Sequence, residues 1–194
     1  AVRLLPQLLV GLDRLERDRN ERLMSPLFAS YEIPFGICVG RIRGGDWPST
    51  VAERVVLEGR YGIAPGERLV AAREEFERAV AEVAAADGWM RKHPPAVEWW
   101  GGRFEPAAIS VDAPIARGVA EAYATAAGEP ASVVAMPFGA DMRLLTNVAA
   151  IDTVMFGPGD VRAAHRPDEY VPVADLAVVA KTLATTAMRF CGLA

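Results

Sequence analysis

"ERLVAAREEFERAVAEVAAAD", residues 67–87, decides how this chain is read. It is rich in Ala, Glu and Arg, all good helix formers, and Leu69, Phe76, Val80 and Val83 fall on one stripe at helical spacing. A helix here orders what surrounds it. Upstream, the Pro-Gly turn "IAPGE" (63–67) separates it from "VAERVVLEGRYG" (51–62), where Val51, Val55, Leu57 and Tyr61 alternate imperfectly, as in a strand. Before the turn "DWPST" (46–50), "PFGICVGRIRGG" (34–45) reads as another strand, ending in Gly44-Gly45. Residues 2–22 form an amphipathic helix: Leu4, Leu5, Leu8, Leu9, Leu12 and Leu15 share a broad face, and Pro6 falls in the first turns, where proline is tolerated. Downstream, "GWMRKHPP" (88–95) breaks the central helix. "AVEWWGGRFEPAAI" (96–109) then reads as a third strand whose glycine pair suggests a bulge.

The order is helix, strand, strand, helix, strand. A ferredoxin-like sandwich has the same order with one more strand in front. The chain opens in mid-helix, with neither an initiator Met nor a capping residue, as a cut in a longer protein would. From Asp112 the pattern changes. "APIARGVAEAYATAAG" (113–128) is a helix closed by Gly128, and "ASVVAM" (131–136) a buried parallel strand. "PFGADMRLLTN" (137–147) begins as a loop and becomes a helical turn, "AIDTVMF" (150–156) is another buried strand, and residues 173–190 are a helix. The predicted class is α/β: an α+β domain over 1–111, then part of an α/β domain over 112–194, with the boundary between Ser110 and Pro114.

Composition excludes several roles. The hydrophobic fraction of 52% is that of a globular chain, not a disordered one. Net charge is -4, and no Lys/Arg cluster stands free of acids, so no nucleic-acid footprint is visible. The densest basic stretch, "DRLERDRNER" (13–22), alternates in sign and reads as a solvated helix face. No apolar run spans a bilayer, and no cleavage-site pattern marks a signal peptide. Cys38 and Cys191 have neither metal-ligand spacing nor a nearby His; buried or inert thiols and a cytoplasmic setting are expected.

One of the chain's two histidines, His165, lies in the Gly/Pro-rich loop "GPGDVRAAHRPDEYVPVADL" (157–176), flanked by Asp160, Arg162, Arg166, Asp168 and Glu169. Taken alone, it could serve as a metal ligand, an acid/base or a polar loop residue.

"IRGGDWPSTVAE" (42–53), "GRYGIAPGE" (59–67), "PFGADMRLLTN" (137–147) and "FGPGDVRAAHRPDEYV" (156–171) occur in this order. Together they resemble the zinc-dependent aminoacylase/carboxypeptidase family, which contains acetylornithine deacetylase and succinyl-diaminopimelate desuccinylase. The resemblance implies a dimerising lid over 1–111 and the carboxy-terminal part of a catalytic domain over 112–194. It implies a cytosolic dizinc amidohydrolase, with cobalt as an alternative metal, acting on small N-acyl amino acids or peptides through metal-activated water and a Glu general base. It makes His165 the last metal ligand, with Glu169 or Asp160 orienting its ring. Asp141 and Arg143 match the family's Asp-x-Arg turn, where the Arg grips a substrate carboxylate and the backbone at Gly139 permits close approach. His93, in "RKHPP", matches no family role and reads as a surface residue. "GGDWPS" (44–49) lacks the Asn that often follows the family's glycine pair. The other ligands and the general base precede the lid in the family, so this chain alone should hold no metal and carry no catalytic residue. The alternative is a non-catalytic α/β module that dimerises.

Overall fold

In the computed structural model, which describes residues 1–192, a 3-10 turn at Val2–Leu4 runs into helix α1, Leu5–Leu23. The last two positions of the expected segment 112–194 lie outside the described residues. Pro6 sits in the first turn of α1, where a missing N–H costs nothing. An antiparallel hairpin follows, β1 (Ile37–Gly44) with β2 (Val55–Tyr61), and then helix α2, Leu69–Ala86. Helix, strand, strand and helix thus come in the expected order, and the fold mixes helices with a small antiparallel sheet. The chain divides into two compact units: Ala1–Pro106 with Ala135–Gly139, and Ala107–Val134 with the residues from Ala140 onward.

In the first unit the ladder runs from Ile37 opposite Tyr61 to Gly44 opposite Val55, with a bulge between Val39 and Arg41. Gly59 lies opposite Val39, and a Cβ there would overlap the carbonyl oxygen of Cys38. The strands reach this spacing because residue 59 has no side chain. Phe28 and Phe35 meet edge-on with ring centroids 5.0 Å apart, and Ala64, Leu23, Tyr31 and Ala135 close around them.

The charged stretch of α1 is not simply a solvated face. Arg19 is fully buried and Asn20 nearly so. Arg19 follows Leu15 by one helical turn and so falls on the inward stripe. Its partners are remote in sequence: Glu67 at 2.8 and 3.0 Å, Glu75 at 2.5 Å and the Gly62 carbonyl at 2.9 Å. Asn20 accepts from the Phe35 N–H at 2.9 Å, and Glu16 from that of Ile37 at 2.5 Å, so α1 satisfies the backbone leading into β1.

Residues 96–109, expected to form a strand, join no ladder. Their aromatic residues pack instead. Trp99 lies 5.3 Å from Phe76 and 5.9 Å from Tyr61 by ring centroid, and its indole N–H donates to Glu77 at 2.7 Å. The glycine pair makes a bend, not a bulge, with Gly101 at φ +79°.

The second unit holds α3 (Pro114–Ala127) and α4 (Val173–Phe190), which pack together through small residues; Ala116, Ala122, Thr182 and Thr186 are buried. Gly128 closes α3 in the left-handed region at φ +80°, as expected. Residues 137–147 do turn helical, in one short segment at Leu144–Val148. The strands expected at 131–136 and 150–156 do not form, and Val133, Val134, Ile151 and Met155 are exposed. A strand needs a neighbouring backbone to take its N–H and C=O groups, and apolar pattern reports only side chains. Among the described residues the sheet has two strands, both in the first unit.

Candidate functional site

The loop from Phe156 to Tyr170 is shaped by its own polar groups. Asp160 accepts from the Arg162 backbone N–H at 2.9 Å, which starts a 3-10 turn at Val161–Ala163, and it also pairs with the Arg162 guanidinium. The Arg162 side chain and backbone N–H hold the Asp160 carboxyl down at about 2. The Gly159 N–H donates to Asp175 at 3.1 Å, which ties the loop to the first turn of α4.

His165 follows this turn with a left-handed backbone, φ +61°, and Asp168 repeats it at φ +60°. Such angles cost energy in residues with a Cβ and persist where the surroundings hold them. Here the holding contact is visible: Glu169 accepts from the His165 backbone N–H at 3.0 Å. The structure therefore brings His165 and Glu169 together through main chain, while Asp160 is engaged by Arg162. The His165 side chain is exposed.

Asp141 and Arg143 lie in the turn that opens the Leu144–Val148 segment. The Asp141 carbonyl accepts from Leu144 N–H at 2.8 Å, and the Arg143 N–H reaches the Ala140 carbonyl at 3.4 Å. Arg143 is half-buried and Asp141 exposed. Gly139 belongs to the first unit, where its backbone rests on Phe104: a Cβ at 139 would fall 2.5 Å from Phe104 Cβ and Cγ. The need for glycine at this position thus has a packing cause, which the sequence did not suggest.

Among the described residues no three His, Cys, Asp or Glu side chains cluster to hold a metal ion. The donor chemistry of His165 suits one zinc ligand, but one imidazole does not make a zinc site. His93 is a surface residue stacked on Trp89 at 4.6 Å between ring centroids. Cys38 and Cys191 are free and exposed, not buried; a two-stranded sheet leaves alternate side chains uncovered. A groove of about 250 Å³ lined by Glu77, Val80, Ala81, Pro94, Pro95 and Val97 contains none of the expected site residues. No described helix is long and apolar enough to cross a membrane.

Comparison with known proteins places these elements. The chain is 30% identical over 204 aligned residues to N-formyl-4-amino-5-aminomethyl-2-methylpyrimidine deformylase of Halalkalibacterium halodurans, covering 100% of this chain and 46% of that protein. It is 42% identical over 81 residues to acetylornithine deacetylase of Myxococcus xanthus, covering 42% of this chain and 20% of that protein. The chain thus spans less than half the length of the relatives it matches. The family description "Peptidase family M20/M25/M40" matches residues 31–189, which takes in the hairpin, α2, the Asp141–Arg143 turn and the His165 loop. The chain belongs to the M20/M25/M40 peptidase family, whose relatives here are named as amide-cleaving hydrolases.

Proposed function

We propose that this chain is the lid (1–111) and carboxy-terminal catalytic segment (112–194) of a cytoplasmic dizinc amidohydrolase that removes an acyl group from an amine nitrogen. His165 supplies one metal ligand. Glu169 holds the His165 backbone and Asp160 shapes the turn ahead of it. Arg143 binds a substrate carboxylate through its planar fork, and Asp141 and the backbone at Gly139 are further substrate-binding groups. The observation that carries the reading is His165: an exposed imidazole on a left-handed backbone, pinned by Glu169, in a chain of this family. Both relatives are named for removing a small acyl group, formyl or acetyl.

The remaining ligands and the general base lie outside these residues in this reading, so the chain alone should bind zinc weakly and leave N-acetylornithine intact. In the complete enzyme His165→Ala should lower both metal content and turnover. Metal analysis is the direct test. Full occupancy in the variant removes His165 from the site, and a tightly held zinc pair in the 194-residue chain overturns the division of labour.

The whole-chain match to the deformylase favours a second substrate reading, an N-formyl aminomethylpyrimidine in place of an N-acyl amino acid. Arg143→Ala tests the N-acyl amino acid reading. It should weaken acids far more than their carboxamides if a carboxylate is bound, and equally if Arg143 is structural.

A further inference from the structure

The bulge in the hairpin decides which way three arginines face. Directly opposed residues of an antiparallel pair point to the same side of the sheet. Tyr61, opposite Ile37, packs on Phe76 of α2 with ring centroids 5.1 Å apart, so Ile37, Val39, Leu57 and Tyr61 lie on the helix side. Arg60 and Cys38, opposite each other, lie on the outer side. With strict alternation along β1, Arg41 and Arg43 would follow Val39 toward the helices. The bulge between Val39 and Arg41 adds one residue, sets Arg41 opposite Glu58 and Arg43 opposite Val56, and swings both arginines to the side of Arg60.

All three arginines are exposed. Glu58 pairs with Arg41 at 3.1 Å, and among the described residues Arg43 and Arg60 make no ion pair. Three guanidiniums thus share a face with one carboxylate, and two positive charges stand unbalanced in a chain whose net charge is -4. Same-side neighbours lie about 7 Å apart along a strand and about 5 Å apart across it, so long side chains from these rows can converge on one anion. We propose that the outer face of the hairpin binds a small phosphorylated molecule of at least two negative charges, gripped by Arg43 and Arg60 with Arg41 beside them. Guanidinium forks match phosphate oxygens in pairs. A monocarboxylate balances only one of the two charges, and Glu58 already supplies a carboxylate to Arg41. Neither His165 nor Arg143 takes part.

Inorganic diphosphate titrated into the 194-residue chain, followed through amide chemical shifts, is the test. The shifts should concentrate at residues 38–43 and 56–60. Arg43→Gln and Arg60→Gln should each weaken binding about threefold, and the double variant about tenfold, as for exposed charge pairs. Arg78→Gln, on the exposed side of α2, should leave it unchanged. Every substituted side chain is exposed, so no core is opened, and the amide spectra of α1 and α2 should match those of the unsubstituted chain. Arg43→Lys and Arg60→Lys keep the charge and lose the fork, and should fall between the unsubstituted chain and the Gln variants. Tricarballylate, a tricarboxylate, should bind about fivefold more weakly than diphosphate. Shifts spread over the whole surface, an equal loss in Arg78→Gln, or tricarballylate bound as tightly as diphosphate overturns the phosphate site. An octaglutamate peptide that displaces diphosphate at equal concentration also overturns it, and makes the face a docking surface for acidic protein.

Discussion

Arg19 has no exposed surface, and burying a guanidinium is costly unless every donor direction is used. Glu67 takes two of its N–H groups, Glu75 and the Gly62 carbonyl take two more, the Nε–H is left without a hydrogen-bond partner, and the guanidinium carbon lies 4.5 Å from the centroid of Tyr61. Burial raises the Tyr61 phenol well above its usual range, against the pull of Arg19. Arg19→Met should therefore destabilise the chain by about 3 kcal/mol, since Glu67 and Glu75 lose their partner in a poorly solvated place. Urea denaturation reads this directly, and a shift below about 1 kcal/mol would put the cluster among ordinary surface pairs. The cluster also has a pH signature. Burial pushes the Glu75 carboxyl up, but hydrogen bonds from Arg22 and Arg19 outweigh it and hold it below 4.5, its ordinary value. A depressed folded-state pKa contributes stability that is present above the unfolded value and lost as pH falls through the folded one. The urea midpoint should thus drop below about pH 4.5, and Arg19→Met should flatten that drop.

Among the elements, the hairpin shows how one residue sets a register. The bulge at Val39/Arg41 places Gly59 against the Cys38 carbonyl, and that backbone cannot step aside as a side chain could. Gly59→Ala should cost about 1–3 kcal/mol, as overpacking does, and lower the urea midpoint with little change in slope. A neutral outcome would mean that the strands part there at no cost. The helices and the hairpin were legible because their signals are local: stripe, alternation, Pro at a start and Gly128 at an end. The runs 96–109, 131–136 and 150–156 carry equally apolar patterns, yet a strand also depends on a neighbour that no local pattern names. The sign-alternating stretch 13–22 misled for a similar reason, because the partners of Arg19 lie 48 and 56 residues away.

For the whole molecule, two kinds of surface invite association. The outer edge of β1 carries no strand among the described residues. In the second unit Val173, Leu176, Leu183 and Phe190 lie exposed along α4, and Val133, Val134 and Ile151 outside it. The dimerising lid that the family resemblance implies would use the first surface. Sedimentation at several concentrations should show a dimer, and Ile42→Lys, a charge placed on the half-exposed β1, should return it to monomer. A strict monomer at all concentrations counts against the lid surface, and a dimer indifferent to Ile42→Lys points to the second unit.

The sequence by itself determined the four long helices, the hairpin, the mixed fold class and the family, because each is written in spacing, capping or a run of matched residues. It also singled out the His165 loop and the Asp141–Arg143 turn as candidate stretches for chemistry. Only the tertiary structure decided that Arg19 is buried, that residues 135–139 leave their sequence neighbours for the first unit, and that Gly139 is pressed on Phe104. The physical reason is common to all three. Each is a contact between residues far apart in the chain, and its energy depends on burial and distance, which no local spacing encodes.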